Sequence, residues 1–165
     1  VVHRLDMETS GAVLFAKNPF ILPILNRLLE DKMIQRQYWA VTEGKFQTKK
    51  TVYKDRIGRD RHDRRKRVVD SRKGQSAYTT VTRLKTFEGA SLVNCQLKTG
   101  RTHQIRVHLA HHGHAILGDP LYSHRPASRL MLHAHTLSFT HPLTLEKVTV
   151  KAQSDSFERE LATNK

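Results

Sequence analysis

The sequence lacks several features that would each mark a class of protein. It has one cysteine, Cys95, so no intramolecular disulfide can form and nothing indicates an oxidising compartment. No apolar run approaches the roughly 20 residues that a helix needs to cross a bilayer, and no charged segment followed by an apolar one marks a signal peptide. These absences favour an interior compartment, the cytoplasm or an organelle.

Acidic residues are also scarce, because 15 Asp and Glu stand against 29 Lys and Arg. The formal net charge is +14 with the 11 histidines neutral. A domain this basic attracts polyanions over long distances and gains free energy by releasing their counterions, so nucleic acid is the predicted partner. Two other interpretations stay open: a charge that only keeps the protein soluble, and contact with anionic lipid, although no basic amphipathic helix is evident.

Hydrophobic periodicity predicts strands with helices between them. Strands are expected at 10–16, 36–42, 52–57, 76–84, 90–97, 130–139 and 147–152. Helices are expected at 18–33, at about 102–112 and in 154–165, and the very polar segment 58–73 is expected to be an exposed loop or hairpin tip. Because regular βαβ spacing is missing, we predict one α+β domain with a mixed, mostly antiparallel sheet and flanking helices.

The first candidate for chemistry is Asp6, which lies between basic residues and a Thr-Ser-Gly turn, just before the first predicted strand. A cationic neighbour can keep such a carboxylate ionised, and a positioned carboxylate can act as a nucleophile or a base. The alternative is an aspartate that only caps the local turn. The residues by themselves leave both interpretations open.

A second candidate begins where Thr99 and Gly100 lead into a predicted helix, whose first N–H groups favour anions. Arg101 stands at the start of this segment, and Arg106 follows within the helix. Such a segment either takes part in chemistry or is a basic helix face that binds phosphate without chemistry.

Histidines cluster in and after the same helix, at His103, His108, His111, His112 and His114. His108 with His111 or His112 has the helical spacing of some metal sites. No HExxH motif occurs, however, and Cys95 has no thiolate partner, so we predict no metal. Helix packing and contacts to RNA are the simpler uses.

An aromatic pair, Tyr38 and Trp39, lies within a predicted strand. Side chains alternate along a strand, so the two rings should face opposite sides of the sheet. Aromatic rings on strands stack on bases in many RNA-binding surfaces. We expect one ring to be available for that and the other to pack in the core.

Together these segments resemble the RluA family of pseudouridine synthases over nearly the whole chain. The resemblance is carried by five motifs in order: HRLDxxTSG at 3–11, YxAxxxG at 38–44, GKxAxT at 74–79 with Gln75 in place of the lysine, TGRTHQIRxHLA…GDxxY at 99–122 and LHA at 132–134. Each motif is modest alone, but their common order argues strongly against a chance match.

The resemblance implies a cofactor-free isomerisation of specific uridines in structured RNA, either ribosomal or transfer RNA. The bond between C1′ and N1 breaks, the uracil turns while held, and C5 bonds to C1′. Asp6 would be the catalytic nucleophile or base at the sugar, and Arg101 would pair with it. Tyr38 would stack on the base and help to remove the C5 proton.

The resemblance also implies residues that bind the substrate. Ile105 would pack on the uracil, Arg106 would contact the RNA from the helix, and Arg4 would fill or line the space left when the uridine leaves its stack. The cationic segment 59–67, with Arg72 and Lys73 beyond it, would hold phosphates without choosing the base.

By this resemblance, residues 1–165 are one pseudouridine synthase catalytic domain, in which the strands that precede HRLD in the family and any S4-like domain are absent, so the sheet could be truncated. We expect a monomer that acts on RNA, with no metal and no membrane. Two alternatives remain. One is a catalytically inactive RNA-binding module of the same fold, and the other is a metal-dependent hydrolase that uses the histidine cluster.

Overall fold

Seven strands form one mixed sheet in the computed structural model, which describes residues 1–165, and two more strands form a separate hairpin. In chain order the elements are β1 (Ser10–Gly11), α1 (Ile21–Glu30), β2 (Gln35–Glu43), β3 (Lys50–Tyr53), β4 (Ile57–Arg59), β5 (Arg67–Val69), β6 (Thr79–Phe87), β7 (Ala90–Leu97), α2 (Gln104–His111), β8 (Leu132–Thr140), β9 (Lys147–Lys151) and α3 (Asp155–Ala162). None of the three helices has the length and apolar character that a bilayer-spanning helix needs.

The sheet has the strand order β1-β8-β2-β7-β6-β3, and only the β1–β8 pair is parallel. The seventh strand, β9, lies beside β1 and also pairs with β8, at residues 136–140, beyond the two positions that β1 occupies. The predicted α+β class with a mostly antiparallel sheet is therefore confirmed.

One large core joins the sheet to two helices. It is a cluster of 20 buried residues that includes Val93 and Cys95 of β7, Ile105 and Leu109 of α2, and Phe157 of α3. Burial raises the pKa of the Cys95 thiol to about 12, so this sulfur is an inert packing group. Because Ile105 is anchored in this core, the residues next to it in α2 have fixed positions relative to β2 and β7.

The first helix begins at Ile21, with Phe20 at the N-cap position, and so starts later than the predicted Asn18-Pro19. The side chain of Asn18 still accepts hydrogen bonds from the backbone N–H groups of Phe20 (3.0 Å) and Ile21 (2.9 Å), just ahead of the helix. Pro23 falls in the first turn of α1, where a missing N–H costs nothing.

Two predicted strands are wrong in extent. The strand expected at 10–16 is only β1, because Gly11 has a left-handed φ of +122° and the chain then leaves the sheet. The strand expected at 52–57 is divided between β3 and β4. The polar segment 58–73 does contain a hairpin, β4–β5, and at its tip Asp60 accepts backbone hydrogen bonds from His62 (2.7 Å) and Asp63 (3.1 Å).

Candidate active site

The position of Asp6 is set by the short strand that follows it. Ser10 donates a hydrogen bond from its hydroxyl to Nδ1 of His133 in β8 (2.7 Å). Gly11 lies so close to β8 that an added Cβ would stand 2.3 Å from the carbonyl oxygen of Ala134. Only glycine fits there, and this close approach fixes the turn that carries Asp6.

The side chain of Asp6 does not cap its own turn. Its backbone carbonyl accepts the turn hydrogen bond from the N–H of Thr9 (2.9 Å), and its carboxylate instead reaches Nη1 of Arg106 (3.1 Å). Oδ2 takes this bond, whereas Oδ1 makes no hydrogen bond, and 27% of the side chain is exposed. The geometry thus disfavours the interpretation of Asp6 as a turn residue and leaves one carboxylate oxygen free to act on a ligand.

Arg106 is held between two carboxylates. It donates from Nε and Nη2 to the two oxygens of Asp119, each at 2.8 Å, in addition to its bond with Asp6. Only 4% of the Arg106 side chain and none of Asp119 is exposed. Burial by itself lowers the pKa of Arg106, but the two carboxylates outweigh it and hold this pKa above its ordinary value. The guanidinium is therefore permanently charged and fixed in direction.

The predicted ion pair between Arg101 and Asp6 is wrong. Arg101 donates from Nε to the carbonyl oxygen of Ser76 (2.9 Å), and its backbone N–H donates to Oε1 of Gln104 (3.0 Å). Arg101 lies in the segment before α2, so the backbone of that segment, and not the helix, sets the direction of its side chain. Arg106 lies inside α2 and makes the contact with Asp6.

All six residues proposed for the site nevertheless share one cavity. A space of about 70 Å³ beside Asp6 is lined by the predicted set, which is Asp6, Tyr38, Arg101, Arg4, Ile105 and Arg106. Tyr38 is buried and burial raises its pKa, so its hydroxyl is neutral at neutral pH. Trp39 stacks instead on His135, with ring centroids 3.9 Å apart. The predicted alternation of the two rings is therefore confirmed, and Tyr38, although part of the core, is the ring that faces the cavity.

A larger cleft of about 1260 Å³ adjoins this cavity and shares Asp6 with it. Its lining carries eight cations against three acids. The cations are Arg4, Lys32, Arg36, Arg65, Arg67, Lys98, Arg101 and Arg106. Of the predicted cationic segment 59–67, only Arg65 and Arg67 line the cleft. This surface suits a polyanion.

Three functional contacts were missed from the sequence. Asp119, which anchors Arg106, gave no signal except its place in the GDxxY motif. Tyr122 of the same motif forms a hydrogen bond between its hydroxyl and Nδ1 of His103 (2.8 Å). His103 itself has a left-handed φ of 56° and places Nε2 3.9 Å from the Asp6 carboxylate. Burial lowers the pKa of His103 against the pull of Asp6, so the ring is neutral.

The other histidines of the cluster are mostly held by hydrogen bonds. His108 is buried, where it bonds to the hydroxyl of Thr79 and donates to the carbonyl oxygen of Asp55, both at 2.8 Å. A possible metal-binding group comprises Asp55, His111 and His112, whose ligand atoms lie within 4.8 Å of one another. His112 already donates to the Asp55 carboxylate (2.7 Å), so a hydrogen bond accounts for that contact.

Comparison with known proteins agrees with this geometry. The family described as RNA pseudouridylate synthase matches residues 1–111. YhcT of Bacillus subtilis, named an uncharacterized RNA pseudouridine synthase, is 47% identical over 156 residues, which cover 92% of this chain and 51% of YhcT. Ribosomal large subunit pseudouridine synthase D of Neisseria meningitidis is 39% identical over 175 residues, covering 92% of this chain and 44% of that protein. The chain thus spans about half the length of these relatives.

Solved structures show the same similarity. The human protein named RNA pseudouridylate synthase domain containing 4 has a TM-score of 0.82 at 26% identity, covering 98% of this chain and 74% of the human chain. A second human protein, RNA pseudouridylate synthase domain containing 1, has a TM-score of 0.80 at 30% identity. The match covers 93% of this chain and 68% of that human chain. The RluA-type resemblance seen in the ordered motifs is confirmed, and the chain belongs to the RNA pseudouridylate synthase family.

Proposed function

We propose that this protein is an RNA pseudouridine synthase that isomerises specific uridines in structured RNA and acts as a monomer. The observation that carries the proposal is the Asp6–Arg106–Asp119 cluster at the cavity beside the cationic cleft. It holds one carboxylate in a fixed direction and leaves its Oδ1 atom free. A reacting carboxylate needs both properties.

In this proposal Asp6 acts at the sugar of the target uridine, as a nucleophile on C1′ or as a base. Arg106 holds the carboxylate in place, and Asp119 holds Arg106, so the attacking group is aligned before the substrate arrives. The bond from C1′ to N1 breaks and the bond from C1′ to C5 replaces it. C5 loses a proton to solvent and N1 gains one, so the isomerisation balances without an oxidant or a transferred group, and we propose that it uses no cofactor and no metal.

Tyr38 and Ile105 would hold the uracil while it turns, since both line the cavity with Asp6. The Tyr38 hydroxyl enters the reaction protonated. It can therefore accept the C5 proton only if it passes its own proton on. Arg4 is exposed at the rim of the same cavity, where it could replace the uridine that has left the stack.

An enzyme fits the site better than a catalytically inactive RNA-binding module. A binding module gains from cations, but a carboxylate in its cavity repels the phosphates it must hold. Asp6 is costly for binding and necessary for catalysis. Relatives are named ribosomal large subunit pseudouridine synthases, and we extend that substrate class to this chain, with ribosomal RNA preferred over transfer RNA.

The test is pseudouridine formation by the purified protein. RNA from a strain that lacks the gene, labelled with tritium at uridine C5, should release tritium when the protein is added. Asp6→Asn keeps the shape of the side chain and removes its charge. We expect release to fall by at least roughly a thousandfold while RNA binding largely survives.

A matched control is Asp155→Asn, the same change at an exposed position of α3. It should release tritium at the rate of the original protein. Persistent release by Asp6→Asn would show that Asp6 is not the catalytic carboxylate, and no release by the original protein from any RNA would reject the proposed activity.

A further inference from the structure

Arg36 is one of four arginines that line the cavity that holds Asp6, and unlike Arg106 it has no partner. It lies on β2 two residues before Tyr38, so the two side chains point to the same face of the sheet. Both line the small cavity, and Arg36 also lines the large cleft. Its side chain makes no ion pair and no hydrogen bond, and its Nε atom is buried without any acceptor.

This arrangement costs folding free energy. Burial lowers the pKa of Arg36, because the charged group has lost water and has gained no carboxylate. Buried polar groups in folded proteins are almost always hydrogen-bonded, so an unsatisfied guanidinium N–H needs an explanation. A ligand that supplies the missing acceptors would explain it.

The surroundings of Arg36 leave room for that ligand. Gly100 lies opposite, and an added Cβ there would stand 2.9 Å from Nη1 of Arg36, so a side chain at 100 would crowd the guanidinium. The Asp6 carboxylate pairs through Oδ2 with Arg106 and forms no ion pair with Arg36. Two other titratable groups, His3 and Tyr38, interact electrostatically with Arg36. A histidine carries no negative charge and the Tyr38 hydroxyl is protonated, so neither neutralises Arg36.

We propose that Arg36 binds a phosphate of the RNA backbone next to the uridine that Asp6 acts on; the inference rests on the proposed function for the identity of that nucleotide. The planar guanidinium presents its N–H groups as a fork that matches phosphate oxygens in pairs. Most cations of the hairpin are exposed and meet any phosphate. Arg36 lies where the cavity beside Asp6 meets the cleft, so a phosphate bound by Arg36 belongs to a nucleotide next to Asp6, and this contact would position the reacting residue.

The first experiment measures nucleotide binding without turnover. Uridine, uridine 5′-monophosphate and uridine 3′-monophosphate are titrated into the full chain, and backbone amide shifts of Ile105 and Tyr38 are followed by NMR. We expect one monophosphate to bind roughly tenfold more tightly than uridine, as for a charge-assisted contact. In Arg36→Gln this preference should disappear, and Arg36→Lys should recover only part of it.

The matched control is Arg159→Gln, which removes an equal charge from the exposed face of α3. It should leave the monophosphate preference unchanged. Binding of an oligouridine strand gives a second measure, because one lost phosphate contact lowers the slope of log affinity against log salt by about 0.7. Arg36→Gln should show this decrease and Arg159→Gln should not.

Thermal stability separates a binding role from a structural one. Arg36 has no hydrogen-bond or ion-pair partner that its removal would leave unpaired. The melting temperature of Arg36→Gln should therefore equal or exceed that of the original protein. A lower melting temperature with an unchanged monophosphate preference would make Arg36 a structural residue and overturn the inference. Phosphate binding through Arg36 in a protein that releases no tritium from RNA would instead reject the proposed activity and keep the phosphate site.

Discussion

Two charged regions of this protein use charge in opposite ways. The cluster of Asp6, Arg106 and Asp119 contains one cation and two acids, mostly buried, with every nitrogen of Arg106 bonded. The hairpin segment 59–67 contains six cations and two acids, and its one ion pair joins the exposed Arg65 to the half-buried Asp63. The first region fixes one carboxylate in direction and attracts no polyanion. The second attracts polyanions and fixes nothing.

The largest expected effect comes from breaking the buried cluster. Asp119→Ala removes two hydrogen bonds from Arg106 and leaves a buried cation with a single partner. We expect a loss of about 3–5 kcal/mol in the free energy of unfolding, together with a large loss of turnover, measured by urea denaturation and tritium release. Asp63→Ala makes the same change in the exposed pair of the hairpin and should leave stability almost unchanged. Equal losses in the two variants would remove the distinction between the regions.

The second effect should appear in RNA affinity alone. Changing Arg59, Arg61 and Arg64 to Gln removes three exposed cations from the hairpin and no buried contact. Affinity should fall alike for two unrelated RNAs, and the salt slope should decrease by roughly 2 to 3. Unfolding free energy should stay within error. A control with Lys147, Lys151 and Arg159 changed to Gln should affect binding much less, and a loss confined to one RNA would contradict this role.

The smallest effect tests a hydrogen-bonded link between the regions. The Tyr122 hydroxyl accepts from the N–H of Arg67 in β5 (2.7 Å) and is also hydrogen-bonded to Nδ1 of His103 (2.8 Å). The Nε2 atom of the same His103 ring lies 3.9 Å from the Asp6 carboxylate. Tyr122→Phe keeps the ring that lies beside the guanidinium of Arg106 and removes both bonds. We expect about 1 kcal/mol of lost stability and a turnover several-fold lower.

The control for this link is Tyr53→Phe, because the Tyr53 ring stacks on His112 and its hydroxyl has no hydrogen-bond partner. It should match the original protein in both measurements. If Tyr122→Phe behaved like Tyr53→Phe, the hairpin and the buried cluster would be independent of each other.

The order of motifs in the sequence located the cavity but not its bonding. Asp6, Tyr38 and Ile105 line one space as predicted. Tyr38 and Ile105 lie on elements that hydrophobic periodicity can detect, whereas Asp6 lies in the irregular segment before β1 and was located by its motif. The predicted partner of Asp6 was wrong. Arg101 and Arg106 are equally basic, and only the position at which α2 begins decides which of them faces the carboxylate. Asp119 could not be predicted as a partner, because a loop brings it to Arg106 and no local pattern records that contact.

The length of β1 has a consequence for the time at which the site is assembled. β1 has two residues and is held by β8, with Ser10 bonded to His133 at a separation of 123 positions along the chain. Chains are synthesised from the N terminus, and long-range pairs form only when both partners have emerged. The cationic hairpin is complete at Val69, whereas the strand that fixes Asp6 is complete only at Thr140. On the ribosome, each molecule therefore displays its phosphate-attracting surface before its carboxylate is in place.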